Sequence, residues 1–168
     1  MERLENKIAV ITGASTGIGQ ASAVALAIEG AHVLALDISD QLEETVQSIN
    51  DNGGKATAYR VDISDDKQVK QFSEKIAQEF GHVDVIFNNA GVDNGARRIH
   101  EYPVEVFDKI MAVDMRGTFL VTKFLLPLMM KQGGSIINTA SFSGQAADLY
   151  RSGYNAAKGG VINFTKSI

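Results

Sequence analysis

The feature that most constrains this chain is a glycine-rich segment between an apolar run and a helix-patterned stretch. Residues 12–19 read Thr-Gly-Ala-Ser-Thr-Gly-Ile-Gly, follow the apolar run 8–11 and precede a helical pattern that starts at Gln20. In the order strand, turn, helix, a turn without side chains lets the backbone approach a phosphate, and the helix N-terminus points unpaired N–H groups at the same anion. The segment therefore predicts a nucleotide-binding turn, with glycines spaced G-x-x-x-G-x-G and not G-x-G-x-x-G.

Strand-length apolar runs alternate with amphipathic stretches of helix length along the whole chain. We predict strands over 7–12, 32–37, 55–62, 83–88 and 135–139, and helices over 17–30, 40–52, 65–80, 103–130 and from 153 to the end. This alternation predicts an α/β fold, a doubly wound parallel sheet of Rossmann type. The length of 168 residues has room for one dinucleotide-binding domain, 1–168.

Composition and charge limit the expected binding partners and the expected cellular compartment. The net charge of -4, without a long basic run, argues against nucleic acid and anionic membranes. There is no cysteine, and His32, His82 and His100 lack ligand spacing, so no metal site is expected. No apolar run is long enough to span a bilayer, and the polar start lacks a signal-peptide core, which favours the cytoplasm.

Asp37 ends the second predicted strand and is the candidate residue for distinguishing nucleotides with and without a 2′-phosphate. A carboxylate there can accept hydrogen bonds from both ribose hydroxyls of an adenosine, and it would repel a 2′-phosphate. Ser15, Thr16 and Ile38 supply no cation that a 2′-phosphate would need. NAD is therefore favoured over NADP, and the alternative for Asp37 is a helix cap or a solvated turn.

Two further strand ends carry polar residues that face the expected ligand. Asp62 ends the third strand and Ile63 follows it, where they could meet the adenine, although a cap for the next helix competes equally for Asp62. The fourth strand ends in Asn88, Asn89, Ala90 and Gly91. The asparagine amides could tie neighbouring strands together or hydrogen-bond the cofactor.

The catalytic candidates are Ser141, just after the fifth strand, and the pair Tyr154 and Lys158. Residues four apart project from one face of a helix, so the Lys158 ammonium can favour the ionised form of the Tyr154 phenol. A Tyr-x-x-x-Lys pair arises easily by chance, and Ser141 at the adjoining strand end strengthens the assignment.

In order and spacing, these motifs resemble the short-chain dehydrogenase/reductase family over the whole chain. The resemblance implies that Tyr154 is the general acid/base, that Ser141 holds the substrate oxygen and that Lys158 binds the nicotinamide ribose. Hydride would pass between the nicotinamide and the carbinol carbon. The implied cofactor-binding residues are Gly13, Ser15, Thr16, Gly17, Ile18, Gly19, Asp37, Ile38, Asp62, Ile63, Asn89, Ala90, Gly91, Tyr154 and Lys158.

The chain departs from the family pattern at Asp114. The family usually has Val-Asn-x-x-Gly in the long helix, with the asparagine holding a water of the proton relay, whereas residues 113–117 here read Val-Asp-Met-Arg-Gly. An aspartate can accept a hydrogen bond from that water but cannot donate, and its charge opposes the phenolate unless it is paired. Arg116 is too near in sequence to face it. We expect Asp114 to keep the structural role with an altered pH profile.

A second departure is that family members usually continue for about another third of their length. The sequence stops at Ile168, inside the last predicted helix. As a C-terminally truncated member, the chain is expected to have an exposed sheet edge and an incomplete substrate pocket, with no assurance of turnover.

The long helix, 103–130, carries apolar residues on more than one face. We expect one face to pack on the sheet and the other to meet a partner chain, and the alternative is a helix buried inside a larger monomer. Together with the resemblance, this predicts a homodimer or homotetramer formed through helix 103–130 and the helix from 153.

The sequence thus predicts an NAD-dependent oxidoreductase that acts on a secondary alcohol or the matching ketone. Asp37 favours a dehydrogenase of sugars, polyols, steroids or other small alcohols. The 3-oxoacyl-thioester (acyl-carrier-protein) reductases of the family are an alternative, although they tend to prefer NADPH. The other alternative is a non-catalytic NAD-binding scaffold.

Overall fold

The computed structural model describes residues 3–168 as a five-stranded parallel sheet with helices on both faces. The strands run in the order β3-β2-β1-β4-β5 and every neighbouring pair is parallel. Their bounds are β1 Ile8–Thr12, β2 His32–Asp37, β3 Lys55–Arg60, β4 Val85–Asn88 and β5 Ser135–Asn138. The predicted doubly wound α/β fold is confirmed.

Within residues 3–168, six α-helices connect or follow these strands. They are α1 Gly17–Ile28, α2 Leu42–Asp51, α3 Asp66–Glu79, α4 Val104–Ile110, α5 Thr118–Leu125 and α6 Ser152–Ser167. Short 3₁₀ turns occupy Ile99–Glu101, Leu126–Leu128 and Phe142–Gly144. The predicted continuous helix over 103–130 is instead divided, because the π-helical segment Met111–Gly117 joins α4 to α5.

The central strands are apolar except at their ends, as expected of a sheet with both faces covered. All of β1 is buried, and its side chains alternate between the two faces. Val10 lies beside Leu34 and Ile86 in the core under α3 and α5. Ile11 belongs to the second core, which α1 and α2 cover. A period-two alternation of polar residues is therefore absent from β1.

The strand order creates the crevice in which a ligand can sit. The chain leaves β1 towards β2 and β3 on one side and then crosses over to β4 and β5 on the other side. The loops that follow β1 and β4 consequently diverge at the carboxyl edge of the sheet. β3 and β5 form the two sheet edges within residues 3–168, and Ile137 of β5 is 48% exposed.

The outer face of the α4–α5 run is covered only in part. α6 packs against α4 and the π-helical segment, and Phe164 meets Phe119 edge to face at 6.3 Å. Val104, Phe119 and Met130 remain exposed to solvent. The predicted contact of this face with a second chain stays a prediction. No helix within residues 3–168 is long and apolar enough to cross a membrane.

Candidate functional site

A cleft of about 720 Å³ opens at the carboxyl edge of the sheet, at the crossover point of the strand order. Loops after all five strands, the N-terminus of α1, the α4–α5 run and α6 supply its walls. The lining residues are Gly13, Thr16, Gly17, Ile18, Leu36, Asp37, Ile38, Val61, Asp62, Ile63, Ser64, Asn89, Ala90, Gly91, Val92, Asp93, Lys109, Ala112, Val113, Asp114, Thr139, Tyr154 and Lys158.

The glycine loop is packed so closely that side chains are excluded from it. Gly13 has a φ of +68°, and a Cβ there would lie 2.9 Å from the Cα of Ala90. A Cβ on Gly19 would collide with the carbonyl oxygen of Gly13, so Gly19 serves packing beneath the cleft and does not line it. No side chain caps α1 at Thr16, which leaves the first N–H groups of that helix available to an anion.

Asp37 reaches the cleft and also fastens the glycine loop to β2. One carboxylate oxygen accepts from the Ser15 N–H at 3.0 Å, and the other accepts from the N–H groups of Ile38 and Ser39 at 2.7 and 3.1 Å. The alternative of a turn residue is therefore realised, in a carboxylate that still lines the cleft. Ser15 does not line it, and its side-chain oxygen is buried without a hydrogen-bond partner.

Asp62 and Ile63 both line the cleft, and a different residue caps the next helix. The Asp62 carboxylate accepts from the N–H and the hydroxyl of Ser64, at 2.9 and 2.7 Å. The cap of α3 is Asp65, which accepts from the N–H groups of Lys67 and Gln68. Capping by Asp62 is therefore wrong, because its carboxylate closes the turn that precedes the cap.

The two asparagines at the end of β4 tie the sheet together in different ways. The Asn88 amide donates to Thr122 Oγ1 at 3.0 Å and to Asn138 Oδ1 at 2.8 Å, which joins β4 to α5 and β5. The Asn89 amide donates to the Thr12 carbonyl at 3.2 Å, beside the glycine loop. Asn88 is therefore structural, whereas Asn89 fixes the loop and also lines the cleft.

Tyr154 and Lys158 lie together on the cleft side of α6, as their spacing predicts. The Lys158 ammonium stands 5.6 Å from the centre of the Tyr154 ring and donates to the Thr139 carbonyl at 2.9 Å. Its Nζ also lies 3.1 Å from Asp114 Oδ1, so the aspartate is paired. The Arg116 guanidinium turns away to the Ser64 carbonyl and Asp66, in agreement with the prediction that it does not face Asp114.

Burial raises the pKa of Asp114 above its usual value. The Val92 N–H, at 2.8 Å from Oδ2, and the Lys158 ammonium act in the opposite direction because they favour the charged carboxylate. Nearby Asp93 adds to the rise as a like charge. The carboxylate is thus enclosed and charged only at a cost. Its Oδ2 accepts from the Val92 N–H, whereas its Oδ1 lies 3.1 Å from the Lys158 ammonium without a hydrogen bond among residues 3–168.

Ser141 begins the 3₁₀ turn beside α6 and, among residues 3–168, is the one proposed catalytic residue that does not line the cleft. Its Oγ accepts from the Ser143 N–H at 3.2 Å and lies 3.1 Å from Ser143 Oγ. Ser143 donates in turn to Asp148 at 2.6 Å. The turn abuts α6 closely, since a Cβ on Gly144 would lie 2.6 Å from the Lys158 carbonyl carbon.

Several lining residues were not among the sequence candidates. Val92 and Asp93 directly follow the Asn-Asn-Ala-Gly motif, and Thr139 follows β5, so the rule that ligands meet the carboxyl ends of parallel strands could have found them. Lys109 and Val113 are four residues apart, about one helical turn, and Val113 directly precedes Asp114, so helical spacing could have found them as well.

Known proteins are similar to this chain in both sequence and fold. The family model described as short chain dehydrogenase matches residues 7–168. The uncharacterized oxidoreductase YxbG of Bacillus subtilis (strain 168) is 60% identical over an alignment of 169 positions, which covers 100% of this chain and 62% of that protein. The chain thus spans about 62% of that relative's length.

Two further similarities have the same extent. A 3-oxoacyl-[acyl-carrier-protein] reductase of Thermotoga maritima is 39% identical, over 98% of this chain and 68% of its own. The crystal structure of an NAD+-bound xylitol dehydrogenase superposes with a TM-score of 0.94 at 30% identity, covering 98% of this chain and 64% of that one.

Proposed function

Because this chain belongs to the short-chain dehydrogenase family, an oxidoreductase family that acts on small molecules, we propose that it transfers hydride between NAD(H) and a secondary alcohol or ketone. One observation carries the proposal: the cleft lined by Gly13 and Asp37 is also lined by Tyr154 and Lys158. A dinucleotide held by the first pair extends towards the second. The cofactor, when bound, supplies hydride acceptance and donation.

The residues around the glycine loop fit an unphosphorylated dinucleotide. The side-chain-free loop and the uncapped start of α1 suit a pyrophosphate. Asp37 offers carboxylate oxygens for the ribose hydroxyls and would repel a 2′-phosphate, and Thr16 and Ile38 beside it carry no positive charge. These features support NAD over NADP.

The proton chemistry is assigned to the other end of the cleft. Tyr154 exchanges a proton with the substrate oxygen, and Ser141 holds that oxygen. Lys158 is anchored by the Thr139 carbonyl, which keeps its ammonium near the phenol ring and the expected ribose position. The role of Ser141 requires its hydroxyl to reach the substrate from the turn beside α6.

We extend the proposal to assembly as a homodimer or homotetramer. The exposed apolar side chains along the α4–α5 run, with Phe119 and Phe164 in edge-to-face contact, support a partner on this face. Light scattering of the purified chain measures the assembly, and a monomer at all concentrations would contradict it.

Fluorescence titration with NADH and with NADPH tests the choice of cofactor. We expect tighter binding of NADH, and Asp37→Ala should lose most of that preference, while Asp40→Ala, a neighbouring exposed carboxylate, should keep it. Equal or tighter binding of NADPH by the unmodified chain would contradict the assignment of NAD.

Absorbance at the nicotinamide band tests turnover, with xylitol and smaller secondary alcohols as probes. Tyr154→Phe should abolish any turnover and leave NADH binding in place, because the phenyl ring keeps the shape and loses the proton. Turnover that survives Tyr154→Phe would refute the acid/base assignment. NADH binding without turnover of any probe would favour a non-catalytic NAD-binding scaffold.

A second candidate is favoured by the similarity to the Thermotoga maritima 3-oxoacyl-[acyl-carrier-protein] reductase. This activity would reduce a 3-oxoacyl thioester and leave a 3-hydroxyacyl thioester. Acetoacetyl thioester as the probe separates the candidates: rapid oxidation of NADPH with this probe, and none with the alcohols, would select the reductase.

A further inference from the structure

The cleft contains a buried pair of opposite charges, Asp114 and Lys158. Asp114 is 0% exposed and Lys158 is 3% exposed. Their charged atoms, Oδ1 and Nζ, lie 3.1 Å apart. The second carboxylate oxygen accepts from the Val92 N–H at 2.8 Å, so the carboxylate cannot swing away without losing that hydrogen bond.

The backbone at Gly91 approaches the pair closely. A Cβ on Gly91 would lie 2.7 Å from Asp114 Oδ1 and 3.4 Å from Lys158 Nζ. Asp114 itself sits in the π-helical segment, where the Thr118 hydroxyl donates to its carbonyl at 2.8 Å. Loop, helix and α6 thus converge on one contact between two charges.

A paired ammonium acts on Tyr154 differently from a free one. The Lys158 charge stands 5.6 Å from the phenol ring, close enough to favour the phenolate. The Asp114 charge lies 3.1 Å from Nζ and opposes that field, because a carboxylate beside the ammonium offsets part of its potential at the ring.

We propose that Asp114 is a positioning residue that holds Lys158 as a neutral pair and so moves the ionisation of Tyr154 to higher pH than an asparagine would. This inference rests on the proposed role of Tyr154 as the acid/base and adds the residue that sets its working range.

The other charged groups around Asp114 do not replace Lys158. From the loop after β4, Asp93 adds a negative charge and is bridged to Arg151 at 3.1 Å. Lys109 lines the cleft from α4 as an exposed side chain. Within residues 3–168, Lys158 is the one cation in salt-bridge contact with Asp114.

The test is an optical titration of tyrosine ionisation near 295 nm, a wavelength that reports phenolate and needs neither cofactor nor substrate. Subtracting the curve of a matched Tyr154→Phe variant isolates Tyr154. We expect Asp114→Asn to lower the midpoint by about one pH unit, since the ammonium is then unopposed. Asp108→Asn, an exposed carboxylate on α4, is the control and should leave the midpoint in place.

Two more variants keep the test decisive if Asp114→Asn does not fold. Lys158→Met should raise the Tyr154 midpoint, whereas Asp114→Asn with Lys158→Met removes both charges and should return it close to that of the unmodified chain. A double variant whose midpoint matches Lys158→Met would overturn the proposal, as would an unchanged midpoint in Asp114→Asn.

Kinetics then separate this inference from the proposed function. If the chain turns over a secondary alcohol, the rise of kcat with pH should move down by the same amount in Asp114→Asn. A chain without turnover that still shows the optical shifts would refute the dehydrogenase assignment and leave the charge pairing intact. Turnover with no optical shift would support the dehydrogenase assignment and refute the proposed effect of Asp114 on Tyr154.

Discussion

Asp84 and Asp114 are two buried carboxylates that lie at opposite ends of the same sheet and are each paired with a lysine. Asp84 precedes β4 at the amino edge, 3.0 Å from the Lys7 ammonium and 2.9 Å from the Ile8 N–H. Lys7 is 50% exposed along its side chain, whereas Lys158 beside Asp114 is buried. The pairs are alike in chemistry and different in access to water.

The pKa values of the two carboxylates are shifted in opposite directions. Burial would raise the pKa of Asp84, but the Ile8 N–H, the Lys7 ammonium and His82 outweigh it, so its pKa lies below the usual value. Burial prevails at Asp114 and its pKa is raised. Ionisation of Asp84 therefore stabilises the folded chain, whereas ionisation of Asp114 destabilises it. A destabilising buried charge is typical of a residue with a functional role in a cleft.

The largest expected difference between the two pairs appears when each lysine is removed. Lys158→Met leaves an uncompensated buried charge at Asp114 and should lower the free energy of unfolding by about 3–5 kcal/mol. Lys7→Met removes a half-exposed cation from a carboxylate that keeps the Ile8 N–H, and should cost about 1 kcal/mol or less. Urea denaturation at neutral pH measures both free energies of unfolding. Equal losses in the two variants would mean that burial of the lysine does not distinguish the two pairs.

Most of the fold follows from local sequence signals. β2 begins and ends where the sequence predicts, at His32 and Asp37, because its apolar run lies between Gly30 and a polar turn. Other elements differ at their ends by a few residues, as at β3, which ends at Arg60. In a parallel sheet covered on both faces, apolar runs of strand length are sufficient to identify the strands.

The parts that the sequence did not predict depend on distant contacts. The π-helical segment lies where a Cβ on Gly117 would be 2.6 Å from the Ile63 side chain and one on Gly160 2.9 Å from the Met115 sulfur. Helical periodicity carries no signal of such packing. The pairing of Asp114 with Lys158 likewise joins two elements far apart in the chain, whereas the pairing of Tyr154 with Lys158 lies within one helix and was predictable.

Removal of the Asp84 carboxylate should have the next largest effect. Asp84→Ala leaves the buried Ile8 N–H without its acceptor and should lower the free energy of unfolding by about 1–3 kcal/mol. Asp84→Asn keeps an acceptor oxygen and should lose less. If both variants are equally unstable, the charge and not the hydrogen bond holds this edge together.

Acid titration of stability should separate the two carboxylates by sign. The pKa of Asp84 is depressed in the folded chain, so its contribution is present above the unfolded value of about 3.9 and is lost as pH falls through the folded value. The pKa of Asp114 is raised, so the stability it contributes grows as pH falls from its folded value towards about 3.9.

Unfolding free energies of the unmodified chain, Asp84→Asn and Asp114→Asn across this range measure both slopes. The advantage of the unmodified chain over Asp84→Asn should shrink below about pH 4. Its stability relative to Asp114→Asn should increase as pH falls towards that point. Slopes of the same sign would mean that access to water does not distinguish the two sites.

The smallest expected effect comes from His82, which contacts Asp84 at the amino edge of the sheet. Its Nε2 lies 3.3 Å from Asp84 Oδ2 with a side chain that is 40% exposed, so water screens the interaction. His82→Gln should change the free energy of unfolding by no more than about 0.5 kcal/mol at neutral pH. A loss as large as that of Asp84→Ala would mean that Asp84 and its neighbours are as enclosed as Asp114 and Lys158. The difference between the two carboxylates would then have to come from their N–H donors, Ile8 and Val92.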